Sequence, residues 1–171
     1  MDRAELQAVQ KPLKEQYREE PAAALITLRA DGKLDEEQIG CKVDTGRALV
    51  EAGLHPATGG TGAFACSGDM LLEALVACAG VTLRSVATSM ELDVTGSVRA
   101  EGDLDFRGTL GVDREAPVGF TAIRLRFELE SDASVEELEK LLERTERYCV
   151  VYQTLVGGVP VEFAYSAAAT S

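Results

Sequence analysis

Residues 69–91, DMLLEALVACAGVTLRSVATSME, form the most apolar stretch of the chain, and their reading decides the fold. At about 100° per residue the obvious polar positions, Glu73, Arg84 and Glu91, fall on one narrow stripe of a helix, and nearly every other position is apolar or small. Such a helix is expected to be central and buried on most of its circumference. Glu73 and Arg84 interrupt the apolar run, and the N-terminus MDRAELQAVQ has no basic segment followed by an apolar one. The expectation is a soluble, cytoplasmic protein.

Outward from this helix the apolar pattern turns to period two. Upstream, AAALITLRADGK predicts a strand from about Ala23 to Ala30 with a turn at Asp31-Gly32, and a second strand carries Ile39, Cys41 and Val43 in alternation. RALVEAG is ambiguous between strand and helix. HPATGGTGAFACSGD, residues 55–69, holds four glycines without apolar periodicity and reads as a loop entering the long helix.

Downstream, VTGSVRAEGDLDFRGTLGV suggests two strands with a bend near Gly102. In FTAIRLRFELE, Ile123, Leu125, Phe127 and Leu129 alternate with Arg124, Arg126, Glu128 and Glu130, the pattern of a strand covered on one face. Ser134-Val-Glu-Glu137 is a capping box opening a helix to about Tyr148, with an apolar face of Leu138, Leu142, Thr145 and Cys149. CVVYQTLVGG continues as a short helical turn, and VPVEFAYS supplies a final strand. This order is that of an α+β fold with an antiparallel sheet and two long helices. Residues 2–20 are charged and helix-prone, with Pro12 suited to the first turn of a second short helix. Residues 1–22 thus form an N-terminal helical appendage, and residues 23–171 a single domain.

A chain of 171 residues with 46% hydrophobic content suffices for one sizeable core. Its net charge of −12, from 29 acidic and 17 basic residues, repels phosphate backbones and anionic headgroups, so neither nucleic acid nor a membrane is an expected partner. The four cysteines, Cys41, Cys66, Cys78 and Cys149, contain no Cys-x-x-Cys, and His55 is the single histidine. No metal site is expected from such a set. In a reducing compartment a disulfide among these thiols would be catalytic or redox-sensing, not architectural.

Gly60-x-Gly62-x-x-Ala65 meets the looser dinucleotide fingerprint, but no buried strand precedes it, no βαβ unit follows, and Asp69 opposes a phosphate at the helix start. His55, in the glycine-rich loop, reads as a turn-stabilising or solvated side chain. Cys78 taken alone belongs to the core, since its helical face holds Leu71, Ala74, Leu75, Val81, Thr82 and Ser85, surroundings that raise a thiol pKa. Any charge that lowers it has to arrive from a loop or a second subunit. Cys149 lies on an apolar stripe of its own, and whether the two sulfurs meet is not readable from spacing.

SGDMLLEALVACAGVTL resembles the helix that carries the first reactive cysteine of the osmotically inducible protein C and organic hydroperoxide resistance (OsmC/Ohr) family. ERYCVVYQTL resembles the segment that carries the second, and HPATGGTG agrees; the resemblance spans about residues 23–166. It implies an intertwined OsmC-like homodimer with active sites at the subunit interface, and a thiol-dependent peroxidase for organic hydroperoxides without metal or organic cofactor. Cys78 would be the peroxidatic thiol and Cys149 the resolving one, recycled by an external dithiol reductant. The family's activating carboxylate and arginine fall on Asp69 and on Arg47, the latter in preference to Arg29. The apolar face around Cys78 suits a small hydrophobic peroxide.

Two departures stand out: Val150 and Val151 follow Cys149 where the family commonly has proline, and Asp69 replaces a longer glutamate. Nine helical positions put Asp69 and Cys78 about 180° apart and about 13 Å along the axis, so Asp69 would serve Cys78 only across a dimer. Small residues such as Ala77, Ala79 and Gly80 permit two such helices to approach closely. Cys41 and Cys66 receive no role. The alternative is a non-catalytic protein of the same fold that binds an apolar small molecule at the dimer interface.

Overall fold

The computed structural model describes residues 2–25, 27, 31–34, 40–44 and 49–166. Helix α1 (Arg3–Glu19) starts at a capping box in which Asp2 accepts from the Glu5 N–H and Glu5 accepts in return. With its start fixed there the helix runs through Pro12, at the loss of one backbone hydrogen bond, so a second helix does not begin at the proline. A 3₁₀ turn (Pro21–Ala24) occupies the beginning of the expected first strand.

Strands β1 (Asp31–Leu34) and β2 (Gly40–Asp44) pair antiparallel, with Asp31 opposite Asp44 and Leu34 opposite Cys41. Asp31-Gly32 is therefore strand and not turn, because a cross-strand partner overrides local turn preference. Ile39 and half of the expected strand before Asp31 lie outside the described residues. RALVEAG resolves as β3 (Leu49–Gly53), antiparallel to β2, and β4 (Ala65–Cys66) adds a short parallel pairing to β3. The glycine-rich segment between them is a loop with one 3₁₀ turn (Pro56–Thr58).

The apolar stretch folds as one helix, α2 (Ser67–Met90), entered directly from Cys66. By length and composition it could cross a membrane; in this fold its buried stripe of Leu75, Ala79, Leu83 and Ala87, one residue every fourth, is where both core clusters meet. The expectation of burial around most of the helix is corrected within one chain, since Val81 is 72% exposed and Leu71 is also exposed. The apolar faces left open have no cover among the described residues.

β5 (Thr95–Leu104) is a single ten-residue strand, not two, and is followed by the short helix α3 (Phe106–Thr109). It pairs antiparallel along its length with β6 (Phe120–Glu130), Val98 facing Phe127 and Gly102 facing Ile123. The pairing is irregular between Asp103 and Leu104, next to Gly102. A Cβ on Gly102 would lie 2.4 Å from the Phe120 ring, so glycine is present because the aromatic ring packs on the backbone. One face of this hairpin packs Val98, Ala100, Ile123, Leu125 and Phe127 against α2, while Arg124 pairs with Asp103 and Glu101 on the other.

Ser134 and Glu137 form the expected capping box for α4 (Val135–Tyr148). Its buried positions are Leu141 and Thr145, with Leu138 partly buried; Leu142, expected inside, sits at the rim. The Thr145 hydroxyl donates to the Leu141 carbonyl at 2.8 Å, which satisfies it within the core. After a break at Cys149 the chain enters α5 (Val150–Gly157). The expected final strand does not form: residues 159–166 have no sheet partner among the described residues, and Val161, Phe163 and Tyr165 are 90%, 96% and 89% exposed.

Leu141 is fully buried between α2, α4 and the hairpin, so Leu141→Ala should lower the free energy of unfolding by about 2–5 kcal/mol in urea titration. Gly102→Ala should cost about 1–3 kcal/mol through its clash with Phe120, and adding Phe120→Leu should recover part of that loss.

Candidate active site

Cys78 lies at the middle of α2, and Cys149 at the corner between α4 and α5. Both belong to the core cluster built on Leu75 and Ala79, with Val98, Ala100, Leu125, Phe127, Val151 and Tyr152 around them. Their thiols are in hydrogen-bond contact, and both are free. The structure thus brings together the two cysteines that sequence spacing left apart.

The corner is a local break in helix geometry. Cys149 has extended backbone angles (φ −73°, ψ 106°), while its N–H still closes α4 onto the Thr145 carbonyl and its carbonyl already accepts from the Gln153 N–H, both at 2.9 Å. Helix α5 therefore restarts on a new axis, and its first N–H groups have no carbonyl of their own helix to pair with. Those of Val151 and Val150 act on the Cys78 sulfur and favour its ionised form. The corner is pinned by Glu146, whose carboxylate accepts from the Tyr152 hydroxyl at 3.0 Å and whose carbonyl accepts from the Gln153 amide at 2.9 Å.

Burial alone would push the Cys78 thiol up. The Val151 N–H, the Cys149 thiol, the Val150 N–H and the Thr82 hydroxyl together outweigh it and hold the Cys78 pKa below that of an ordinary thiol. Cys149, only 1% exposed, is shifted the opposite way: burial raises it, and the neighbouring Cys78 raises it further against a lowering contact from the Tyr152 backbone. Of two adjacent thiols, Cys78 ionises first and Cys149 stays protonated as a donor to it. This corrects the expectation that a loop or a second subunit must supply the activation. Part of it comes from the positive end of α5 in the same chain.

Asp69 is exposed in the first turn of α2 and is not among the groups touching Cys78, as nine helical positions require. Arg47 and Arg29 lie outside the described residues. Cys66 is half-buried at the start of α2, away from the cysteine pair, and of Cys41 only the backbone in β2 is described. His55 stabilises its turn, stacking on Phe106 with centroids 4.9 Å apart and accepting at Nδ1 from the Ala57 N–H at 3.0 Å. Gly60 belongs to loop packing, since a Cβ there would fall 1.7 Å from the Leu54 carbonyl oxygen. Among the described residues, no group of three or more His, Cys, Asp or Glu side chains could hold a metal ion.

Sequence reasoning placed Thr82 on the Cys78 face but gave it no role; its i+4 spacing was the available signal. Tyr152, three residues past Cys149, carried no signal of its own. Two openings lie near the pair, one of them reaching Cys149. A groove of about 650 Å³ between α1, α2 and α4 is walled by Thr82, Val81, Lys14 and Arg144, and an apolar cavity of about 220 Å³ lies at Cys149 beneath Leu142 and Tyr152.

Thr82→Val removes a donor to the Cys78 sulfur while keeping the side-chain shape. The pH midpoint for iodoacetamide alkylation of Cys78, followed by peptide mass spectrometry, should then rise. An unmoved midpoint would remove Thr82 from the site.

The model of the OsmC-like protein family matches residues 60–164. No curated protein matches the chain. Among solved structures it is similar to an OsmC-like protein from Mycoplasma pneumoniae (TM-score 0.64, 18% identity, covering 77% of this chain and 89% of that one). It is also similar to an organic hydroperoxide resistance protein from Elizabethkingia anophelis (TM-score 0.58, 18% identity, 78% and 91%). An organic hydroperoxide resistance protein OsmC from Legionella pneumophila gives a TM-score of 0.56 at 19% identity (78% and 92%). At such identities the structures speak for the fold. The family match covers more than half of the chain and includes both cysteines, and on that basis the chain belongs to the OsmC-like protein family.

Proposed function

We propose that this protein is a cysteine-based peroxidase that reduces organic hydroperoxides in oxidative stress defence, with Cys78 as the reacting thiol and Cys149 as its resolving partner. The observation that carries the reading is the contact between two thiols of opposite character, one held toward its thiolate at the start of α5 and the other kept protonated by burial. The Cys78 thiolate attacks the distal peroxide oxygen, the O–O bond breaks, and the alkoxide leaves with a proton as the alcohol. Cys149 then displaces water from the Cys78 sulfenic acid, forming a Cys78–Cys149 disulfide. A dithiol reduces it, itself ending as a disulfide. Two family neighbours named for organic hydroperoxide resistance support the choice of oxidant.

The working unit in this proposal is a cytoplasmic homodimer that takes up small hydrophobic peroxides and binds neither nucleic acid nor membrane. The exposed apolar face of α2 at Val81 and the unpaired alternating run Val161, Phe163, Tyr165 are surfaces that a second copy would cover. Asp69 of one subunit would then orient an arginine, assigned to Arg47, beside Cys78 of the other. A second reading, non-catalytic binding of an apolar small molecule, has in its favour the groove of about 650 Å³ whose Thr82 wall touches Cys78.

Cys78→Ser should lower consumption of an organic hydroperoxide such as cumene hydroperoxide about a thousandfold or more, and unchanged turnover would leave the binding reading. One equivalent of peroxide should yield a Cys78–Cys149 crosslink by peptide mass spectrometry; its absence removes Cys149 as resolver. Sedimentation at micromolar concentration should give twice the chain mass, and a monomer would overturn the role of Asp69.

A further inference from the structure

The apolar cavity of about 220 Å³ is bounded by Cys149 together with Leu125, Phe127, Leu142 and Tyr152, and Cys78 is not part of its lining. Thr82, which touches Cys78, instead walls the groove between α1, α2 and α4. Of the two sulfurs, the cavity therefore reaches that of Cys149. Resting on the peroxidase reading, we propose that the cavity at Cys149 is where a neutral dithiol reductant docks, and that it attacks the Cys149 sulfur with Cys78 as the leaving group.

Three observations converge on this order of events. A thiolate attacks a disulfide in line with the S–S bond, so an attacker of Cys149 must come from the side away from Cys78, and the cavity is lined by Cys149 without Cys78. The sulfur that departs most readily is the one whose negative charge is already solvated, and the Val150 and Val151 N–H groups with the Thr82 hydroxyl await it at Cys78. The cavity walls are aliphatic and aromatic, with the Glu146 carboxylate at the edge, so they accept a neutral dithiol and disfavour an anionic one. Cys149 is only 1% exposed, and the Tyr152 ring, held by one hydrogen bond to Glu146, walls the opening beside it.

In the first step one reductant thiolate forms a bond to the Cys149 sulfur, the Cys78–Cys149 bond breaks, and its electron pair leaves on Cys78. In the second, the other reductant thiol loses its proton and attacks its partner sulfur, releasing Cys149 as a thiolate that takes up a proton. The reductant has then lost two electrons and become a disulfide, and both protein thiols are regenerated.

The test uses the full chain oxidised with diamide, which forms the disulfide without any peroxide turnover. The oxidised protein is exposed briefly to excess 2-mercaptoethanol, quenched with acid, alkylated and mapped by peptide mass spectrometry. The expected product carries mercaptoethanol on Cys149 and the alkyl group on Cys78, in about tenfold excess over the reverse arrangement. A majority on Cys78, equal shares, or no disulfide with diamide overturns the proposal. Hydroperoxide consumption, measured separately, reports whether the peroxidase reading itself fails. Leu142→Trp, checked for fold by circular dichroism, should slow reduction of the diamide-formed disulfide by dithiothreitol about tenfold by filling the cavity; an unchanged rate in a folded variant overturns the docking site.

Discussion

The break in helix geometry at Cys149 is the constraint on which the site depends. Had α4 continued straight, the Val150 and Val151 N–H groups would have been consumed by carbonyls one turn back, and Cys78 would face only apolar side chains. Because the chain takes one extended residue there, two donors are released where α2 passes. The break is held from both sides: Thr145 and Leu141 are buried in the core, and Glu146 ties Tyr152 and Gln153 back to the end of α4. The surroundings of the cysteine pair are thereby set by backbone groups, whose positions are more closely fixed than those of long charged side chains.

The long helix supplies the other half of this geometry. Its stripe of Leu75, Ala79, Leu83 and Ala87 seats α2 on the β5–β6 hairpin, and Ala79 is small enough to let the α4–α5 corner come close. Cys78 is next to that stripe, not in it. It therefore packs on the core while remaining only partly buried, unlike Cys149.

Much of this was legible in the residues. The period-two alternation of FTAIRLRFELE, the Ser134–Glu137 capping box and the apolar stretch at 69–91 gave β6, α4 and α2 because each is a local pattern with a local cause. The failures share a different origin. Asp31-Gly32 has turn chemistry but a strand partner; VPVEFAYS has strand chemistry but no partner in the described residues; Pro12 has helix-starting chemistry inside a helix already capped upstream. Gly102 was read for its backbone freedom, whereas its lack of a side chain under Phe120 is what matters. At the site, the family resemblance singled out Cys78, and helical spacing put Thr82 on its face without a role, but the source of activation was invisible. Backbone N–H groups have no letter in the sequence, and their release depends on a single ψ angle at Cys149.

The contact between the α5 N-terminus and Cys78 also bears on driving force. Donors that favour a thiolate stabilise the reduced dithiol relative to any disulfide built from it, since the bonded sulfur carries no charge for them to hold. Such a disulfide has a raised reduction potential. In the proposed peroxidase, the feature that favours the attacking thiolate would thus make the oxidised form a stronger oxidant, one that gives up its bond to mild reductants. A corner only one residue long ties the speed of oxidation to the ease of return.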